Sequence, residues 1–304
     1  MPERFDAPKY VFLACGLITA ALVIFVFGFI LLTAAPVLQK EGISFITGTI
    51  WDYETHQYGI LIFIIGTIYL TVVTMALAIP LGVFTAIFLA EWAPAWLEKI
   101  IRPLLDLLVG IPSVVYGIFG YFVLEGIFRN TIDPAISNTL GFIPIFHDTD
   151  PGSGLGILLG ATILTLMILP TIAALSQESI RSIPDSYREA SLALGATKWQ
   201  TIKKVVIPAA LPGIVTACIL GMMRAMGETM AVVMVMGNSQ HIPTSILDTG
   251  YAMTSKILSD IGYYFSQPEP RAALFGIAVV LFLMEMGFVA LARAISASAA
   301  KRMQ

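Results

Sequence analysis

The sequence predicts an all-α membrane protein whose helices cross the bilayer six times, and three observations lead to this fold class. First, 57% of the 304 residues are hydrophobic and only 12% are charged, whereas soluble chains are typically about 25% charged. Second, the mean hydropathy is +0.86. Third, six apolar stretches reach the ~20 residues with which a helix crosses the hydrocarbon core. They do not alternate apolar with polar residues as barrel strands do.

The same composition excludes several other classes of protein. A soluble enzyme or a disordered chain needs far more polar surface, and a net charge of −3 provides no basic field for nucleic acid. Cys15 and Cys218 lie in apolar stretches, which predicts packing rather than a disulfide or a metal site. His56, His147 and His241 are far apart in polar segments, so we expect no metal site from them.

The first two spans carry no charged residue. The first, residues 11–35, exceeds the ~7–15 residues of a signal-peptide core and predicts a retained helix. The second, residues 59–90, is longer than a ~30 Å hydrocarbon core requires at ~1.5 Å per residue, so it should tilt or bend. Pro80 is the expected bend, because proline removes a backbone donor and clashes with the preceding turn.

The remaining spans hold the few charges of the membrane domain. These spans cover residues 103–124, 154–175, 213–237 and 272–292. Their charged residues are Asp106, Arg224, Glu228 and Glu285. Asp106 follows Arg102 by four residues, which predicts an ion pair at the membrane interface. Glu285 has no local partner, so it either pairs across helices or lines an inner vestibule.

The distribution of Lys and Arg sets the orientation of the chain. If the N-terminus is inside, most of the 17 basic residues flank the inner ends of the spans, as the positive-inside rule requires. The predicted organisation is a cytoplasmic N-terminus (1–10), a membrane domain (11–292) and a cytoplasmic C-terminus (293–304). Both termini are therefore expected in the cytoplasm.

The cytoplasmic segment 182–208 predicts two short helices joined at a glycine. Ser182 is the expected cap of the first helix, with Asp185 at the positive end of its dipole. Gly195 should end this helix in a left-handed conformation. A pair of helices that merely lies on the membrane is an equally good interpretation of the local pattern.

The second short helix has its own start and stop signals. Thr197 and Gln200 have the Thr-x-x-Gln spacing of a capping box, in which each side chain bonds to the backbone of the other residue. Pro208 and Pro212 are expected to end the helix before the fifth span, because proline cannot donate to the helical hydrogen-bond ladder.

The same segment resembles the EAA motif of ABC-importer permeases, which has the pattern EAA-x3-G-x9-I-x-LP. The sequence departs from the motif at three positions, where Ser191 replaces Ala, Val205 replaces Ile and Ile207 replaces Leu. All three are small or apolar replacements. The residues that carry the resemblance are Glu189, Ala190, Ser191, Gly195, Val205, Ile207 and Pro208.

This resemblance implies the type I ABC importer permease fold, with the segment forming coupling helices that contact ATPase subunits. The implied ATPase-coupling residues are Glu189, Ala190, Ser191, Gly195 and Pro208. The sequence contains no G-x-x-x-x-G-K-[ST] phosphate loop. We therefore expect a non-catalytic chain that binds no cofactor itself, while ATP and Mg²⁺ are bound by partner subunits.

The fifth span places two opposite charges near the bilayer centre. Arg224 and Glu228 are four residues apart, so on a continuous helix they would share one face and could pair. A charge at this depth costs at least ~2.5–3.5 kcal/mol. One interpretation is a self-neutralising pair that locks helices together. The other is a polar pathway for an anion, because guanidinium suits tetrahedral oxyanions.

A more specific resemblance covers the whole chain in span order. The stretch R-A-M-G-E-T-M-A-V at 224–232, followed by Gly237 and Asn238, is similar to that of the PstC-type permeases of phosphate importers. Residues 111–117 also resemble a segment common to phosphate-importer permeases. Met230 and Ala231 favour the PstC type over its sister, the PstA type. The resemblance implies that Arg224, Glu228 and Thr229 lie on the phosphate route.

The family also implies partners and a location. The expected partners are a second, PstA-type permease, a dimer of cytoplasmic ATPase subunits and an extracytoplasmic phosphate-binding protein. The expected location is the prokaryotic cytoplasmic membrane. Alternatives are a permease for another oxyanion (phosphonate, sulfate or molybdate) or a membrane protein that acts alone, as an anion channel or an enzyme.

Overall fold

A computed structural model describes residues 7–149 and 152–301, and nearly all of its regular structure is helical. The predicted terminal segments 1–10 and 293–304 lie partly outside the described residues. Within the described part of the chain, the prediction of an all-α membrane protein is confirmed.

The helices, numbered in chain order, include short π-helical turns where these continue a helix. They are α1 (Ala7–Glu41), α2 (Ser44–Thr47), α3 (Leu61–Glu91), α4 (Ala95–Gly110), α5 (Ser113–Leu140), α6 (Ile157–Arg181), α7 (Asp185–Ala193), α8 (Lys198–Gly227), α9 (Met230–Val235), α10 (Met253–Tyr264) and α11 (Pro268–Lys301). A hairpin of β1 (Trp51–Asp52) and β2 (Gln57–Tyr58) connects α2 to α3. A 3₁₀ turn covers Pro144–Phe146.

Five described helices, α1, α3, α6, α8 and α11, are long and apolar enough to cross a bilayer. The pair α4–α5 passes the same test together and makes a sixth span if a bent pair counts as one. This number agrees with the predicted six-helix fold class. In the most apolar part of α6, 67% of the residues are buried, whereas none is buried in that of α1.

The third span differs from the predicted helix 103–124, because it is broken inside that range. Helix α4 ends at Gly110, α5 begins at Ser113, and the two are bent by 94°. Ile111 and Pro112 are both extended, with ψ of 126° and 141°. Proline disfavours a helical conformation in the residue before it, which explains the break.

The chain folds into two compact units, and the first contains residues up to Leu61 together with Asp260–Leu283. Aromatic side chains cluster around the β-hairpin of this unit. Tyr53 stacks on Tyr264 with ring centroids 3.7 Å apart, and its hydroxyl donates to the Asp260 carboxylate. The hairpin is therefore held by ring stacking and a charge-assisted hydrogen bond.

The second unit contains Ile62–Ser259 and the residues from Met284 onward. Its core is built on α6, which packs against α3 and α8 through glycines. A Cβ at Gly82 of α3 would lie 2.7 Å from the side chain of Ile172, and one at Gly221 of α8 would lie 2.8 Å from the same side chain. Ile172 is fully buried. The glycines therefore allow three spans to approach closely, as small residues do in membranes.

Candidate functional site

The fifth span, predicted at residues 213–237, is interrupted where its ionisable residues lie. Helix α8 ends at Gly227, and Glu228 is extended, with φ −67° and ψ 132°. Thr229 precedes the short helix α9 with φ −119° and ψ −56°. The chain therefore leaves its helical path at Glu228 and Thr229. Broken membrane helices are tolerated only where protein or a water-filled cavity surrounds the freed backbone groups.

The break separates Arg224 from Glu228, and the structure does not support the self-neutralising pair. Within the described residues these two side chains form no ion pair. One Glu228 carboxylate oxygen instead accepts the Ala231 N–H at 3.3 Å. Arg224 remains exposed in the single chain. The prediction that the two residues share a helix face fails because only Arg224 belongs to α8.

The freed backbone groups of the break have polar partners of their own. Thr229 donates its hydroxyl to the carbonyl of Gly227 at 3.2 Å. Thr254 of α10 donates its hydroxyl to the carbonyl of Glu228 at 2.8 Å. These bonds satisfy carbonyls that would otherwise have no partner in an apolar setting, so the break is a stable local structure.

The structure adds Glu285 of α11 to this region. Its Oε1 atom lies 3.7 Å from the position that a Cβ would occupy on Gly227. Arg224 and Gly227 are three residues apart on α8, so Glu285 contacts the face that also carries Arg224. Glu285 is partly buried. No local pattern in the sequence could have joined Glu285 to the fifth span.

Helix α9 is held in place by glycines of α5. A Cβ at Gly117 would lie 2.7 Å from the sulfur of Met234 and 3.1 Å from the Cα of Ala231. A Cβ at Gly120 would lie 2.7 Å from the side chain of Val235. The position of α9, and with it the break, therefore depends on close packing between segments distant in sequence.

A buried aspartate in the loop after α9 was missed by the sequence predictions. Asp248 is 1% exposed, and its Oδ2 accepts the backbone N–H of Thr244 at 2.8 Å and of Ser245 at 2.9 Å. The Thr149 hydroxyl donates to its other oxygen. Burial alone would raise the pKa of Asp248, but these hydrogen bonds outweigh burial and hold the pKa below its usual value. Asp248 lies in a loop without regular structure, so no helix or strand pattern in the sequence marked it.

Residues 182–208, which we call the coupling segment after their predicted role, have largely the predicted local structure. Helix α7 ends before Gly195, whose φ of +83° is left-handed. The capping box is confirmed, since Thr197 accepts the Gln200 N–H at 3.3 Å and Gln200 accepts the Thr197 N–H at 2.9 Å. The predicted Ser182 cap is wrong. Pro184 occupies the cap position, and the Ser182 hydroxyl donates to the Ser179 carbonyl.

The second coupling helix does not end at the prolines. It runs from Lys198 through Pro208 and Pro212 as the first part of α8. A π-helical turn at Ile202–Val206 precedes Pro208. Such a turn widens the helix one turn before the proline ring, which relieves its clash with the preceding carbonyl. The fifth span is therefore continuous with the coupling segment.

The residues of the EAA-like motif divide between an outer and an inner face. Glu189, Ala190 and Gly195 are exposed. Ser191 is half-buried, and its hydroxyl lies 2.9 Å from that of Thr201. Pro208 is also half-buried, at the start of the membrane part of α8. The outer face is available for a partner, whereas the inner residues join the two short helices.

The predicted pair between Asp106 and Arg102 is not formed. Arg102 lies 4.0 Å from Glu98 instead. Asp106 is exposed and lines a cavity beside the break between α4 and α5, together with Gly110 and Pro112.

A membrane domain with a broken fifth span and an exposed EAA-like segment defines a class of transport protein. The family described as "Binding-protein-dependent transport system inner membrane component" matches residues 78–303. The chain belongs to this family and is a multi-pass membrane permease.

Individual relatives match over most of the chain. "Probable ABC transporter permease protein YqgH" of Bacillus subtilis is 38% identical over 288 residues, 93% of this chain and 88% of the relative. "Phosphate transport system permease protein PstC" of Xylella fastidiosa is 34% identical over 258 residues, 84% of this chain and 79% of the relative. A bacterial ABC transporter for alginate import shares the fold, with a TM-score of 0.60 at 15% identity, covering 96% and 97% of the two chains.

Proposed function

We propose that this chain is a permease subunit of an ATP-driven importer of inorganic phosphate. The observation that carries the proposal is the break in the fifth span at Glu228. It follows the exposed Arg224 by four residues, and Glu285 of α11 approaches Gly227 beside it. Substrate sites of membrane transporters are characteristically built from discontinuous helices. The choice of phosphate is supported by the relatives named PstC, which are 31–34% identical over most of the chain.

Arg224 is the proposed anion-binding residue. Ionisable side chains within membrane spans mark substrate pathways, because their burial in lipid is costly. The guanidinium group is a planar fork of five donors that matches two oxygens of a tetrahedral oxyanion. Arg224 has no ion-pair partner among the described residues, so its donors are available to a substrate.

The acidic residues would keep the site weak enough to release its substrate. Conduction needs a site that binds an ion and then lets it leave. Glu285 would place negative charge on the α8 face that carries Arg224, and Glu228 would add negative charge at the break, so both would oppose tight anion binding. A carboxylate can also accept a hydrogen bond from protonated phosphate, which sulfate at neutral pH cannot donate. Thr229 would contribute by donating its hydroxyl to the Gly227 carbonyl at the break.

The remaining subunits are proposed from the surfaces of this chain. Arg224 is exposed in the single chain, and a lipid environment would be unfavourable for it. A second permease of the PstA type would cover this face, so that the path forms between the two subunits. An extracytoplasmic phosphate-binding protein would deliver the substrate from outside.

The coupling segment would receive the cytoplasmic ATPases. Its outer face contains exposed Glu189, Ala190 and Gly195 beside Leu194, which is 90% exposed. Leu192 is also exposed, at 50%, and several exposed apolar side chains rimmed by polar residues are typical of a binding surface. The chain itself would be non-catalytic, with ATP and Mg²⁺ on the ATPases and both termini in the cytoplasm of a prokaryotic cell.

The test is uptake of labelled phosphate by the assembled transporter in proteoliposomes containing ATP. Unlabelled phosphate should compete, whereas sulfate, phosphonate and molybdate at the same concentration should not. Competition by one of these anions would identify it as the substrate class instead. Anion flux through this chain without ATPase partners would contradict the proposal and identify a channel.

A further inference from the structure

Both coupling helices contact the cytoplasmic end of α3, and the first contact is an ion pair. Arg188 of α7 donates from Nε and Nη2 to Glu91 Oε1 at 3.2 and 2.9 Å. Arg188 also donates to the carbonyls of Ile180 and Ile183 at 3.0 and 2.7 Å. The Glu91 side chain is 8% exposed and that of Arg188 is 19% exposed. Charge-assisted bonds shielded from water in this way are stronger than surface pairs.

The second coupling helix contacts the same end of α3 through its first two residues. Lys198, the first residue of α8, donates its ammonium group to the carbonyl of Glu91 at 2.6 Å. The neighbouring residue Trp199 stacks on Trp92, with ring centroids 5.8 Å apart. We call Glu91, Trp92, Arg188, Lys198 and Trp199 the α3 clamp.

An apolar cluster continues the contact into the membrane domain. Ala86 and Ile87 of α3 pack in one buried cluster with Ile202, Val206 and Ala210 of α8. All five residues are at most 7% exposed. Close-packed side chains transmit displacement because interiors have low compressibility. The end of α3 is therefore attached to the coupling segment by polar contacts and by packing.

The clamp matters because α3 has no direct chain connection to the coupling segment. Glu91 and Arg188 are 97 positions apart in the sequence. A displacement of α7 would reach α6 and α8 through the chain, but it reaches α3 only through noncovalent contacts. We infer that the α3 clamp transmits movement of the coupling helices to α3, with Glu91 and Arg188 as positioning residues for transport.

A second ion pair on the same side of the molecule provides a control. Arg181 of α6 lies 2.6 Å from Glu98 of α4 and also donates to the Leu89 carbonyl of α3 at 3.3 Å. Neither Arg181 nor Glu98 belongs to a coupling helix, so the pair adjoins α3 without joining it to α7 or α8. Gln177 also donates to Glu98 at 3.1 Å. Loss of this pair should loosen the cytoplasmic side of the membrane domain without disconnecting α3 from the coupling helices.

The test compares Glu91→Gln with Glu98→Gln in the assembled transporter and measures anions imported per ATP hydrolysed. The inference rests on the proposed function, so phosphate is the first substrate used. Glu91→Gln should lower this ratio at least about fivefold, the lower limit of typical coupling between sites. ATP hydrolysis and co-purification of the ATPases should persist. Glu98→Gln should leave the ratio at the wild-type value.

An unchanged ratio in Glu91→Gln overturns the inference, and so does an equal fall in Glu98→Gln. If Glu91→Gln does not assemble, Arg188→Lys decides by the same measurement. Arg188 bonds Glu91 and the two carbonyls from three separate nitrogens, whereas lysine keeps the charge on a single nitrogen and lacks this planar fork. A reduced ratio therefore supports the clamp and an unchanged one overturns it. If wild-type complexes import another anion, the proposed substrate is wrong, and the ratio for that anion still tests the clamp.

Discussion

The coupling segment and the break in the fifth span contrast in how their structures are determined. In the coupling segment, Gly195 and the pair Thr197 and Gln200 specify the turn and the next helix start through contacts within a few residues. At the break, Gly227 and Glu228 lie in a stretch that a local pattern assigns to one continuous helix. Contacts with α5, α10 and α11 decide its conformation.

The two regions also differ in how their charges are neutralised. Arg188 in the coupling segment is bonded to Glu91 and to two carbonyls. Among the described residues, Arg224, Glu228 and Glu285 at the break form no ion pair with one another or with other side chains. The paired charges fix the position of the coupling segment, whereas an unpaired charge in a membrane protein is available to a substrate.

The largest expected effect is on Arg224, at the break in the fifth span. Arg224→Gln should lower phosphate uptake by roughly tenfold to a hundredfold, because a hydrogen bond to a charged group contributes about 1.5–3 kcal/mol. Measurement of initial uptake rates in proteoliposomes checks this. ATPase co-purification should not change. Arg129→Gln is the control, because Arg129 pairs with Glu125 at 3.2 Å, away from the break. Equal uptake in Arg224→Gln and wild type would remove Arg224 from the pathway.

The next effect tests whether packing positions the break. Gly117→Ala should destabilise the protein by about 1–3 kcal/mol, since a Cβ would overlap the sulfur of Met234 and approach the backbone of Ala231. Uptake should fall while the ATPases remain bound. Gly126→Ala in the same helix is the control, because no atom lies within 4 Å of a Cβ there. Similar thermal stability of the two variants would contradict the role of α5.

A smaller effect is expected from the left-handed turn of the coupling segment. Gly195→Ala should cost about 1–2 kcal/mol, because L-residues other than glycine are strained at φ +83°. Titration of ATPase binding should show a weaker complex, with the membrane domain still folded. Gly287→Ala is the matched change in α11, where a Cβ has open space. Binding as tight in Gly195→Ala as in Gly287→Ala would show that the turn is not required.

The smallest effect concerns the capping box. Thr197→Ala removes the oxygen that accepts the Gln200 N–H and should destabilise the start of α8 by about 1 kcal/mol. Thermal denaturation of the purified chain measures this, with ATPase binding as the second readout. Thr85→Ala is the comparison, because that hydroxyl only back-bonds to the Leu81 carbonyl within a helix. If Thr197→Ala lowers the melting temperature no more than Thr85→Ala does, the cap is redundant.

The sequence by itself determined the fold class, because apolar stretches of spanning length leave few alternatives in a bilayer. It also determined the local structure around Gly195 and Thr197, since left-handed turns and capping boxes depend on neighbouring residues only. The prolines show the limit of this reasoning. Pro112 breaks the third span, as the restriction that proline places on the preceding residue predicts. Pro208 and Pro212 instead lie within α8, and a π-helical turn directly before Pro208 relieves the clash of its ring with the preceding turn.

Only the tertiary structure decided where the charges meet. Glu285 reaches Gly227, and Arg188 reaches Glu91, across separations in sequence that no periodic pattern records. The break between Arg224 and Glu228 likewise precedes a helix, α9, that packs closely against Gly117, more than a hundred positions away in the sequence. Local propensity is weak compared with the burial and hydrogen bonding of whole segments, so long-range contacts determine the site.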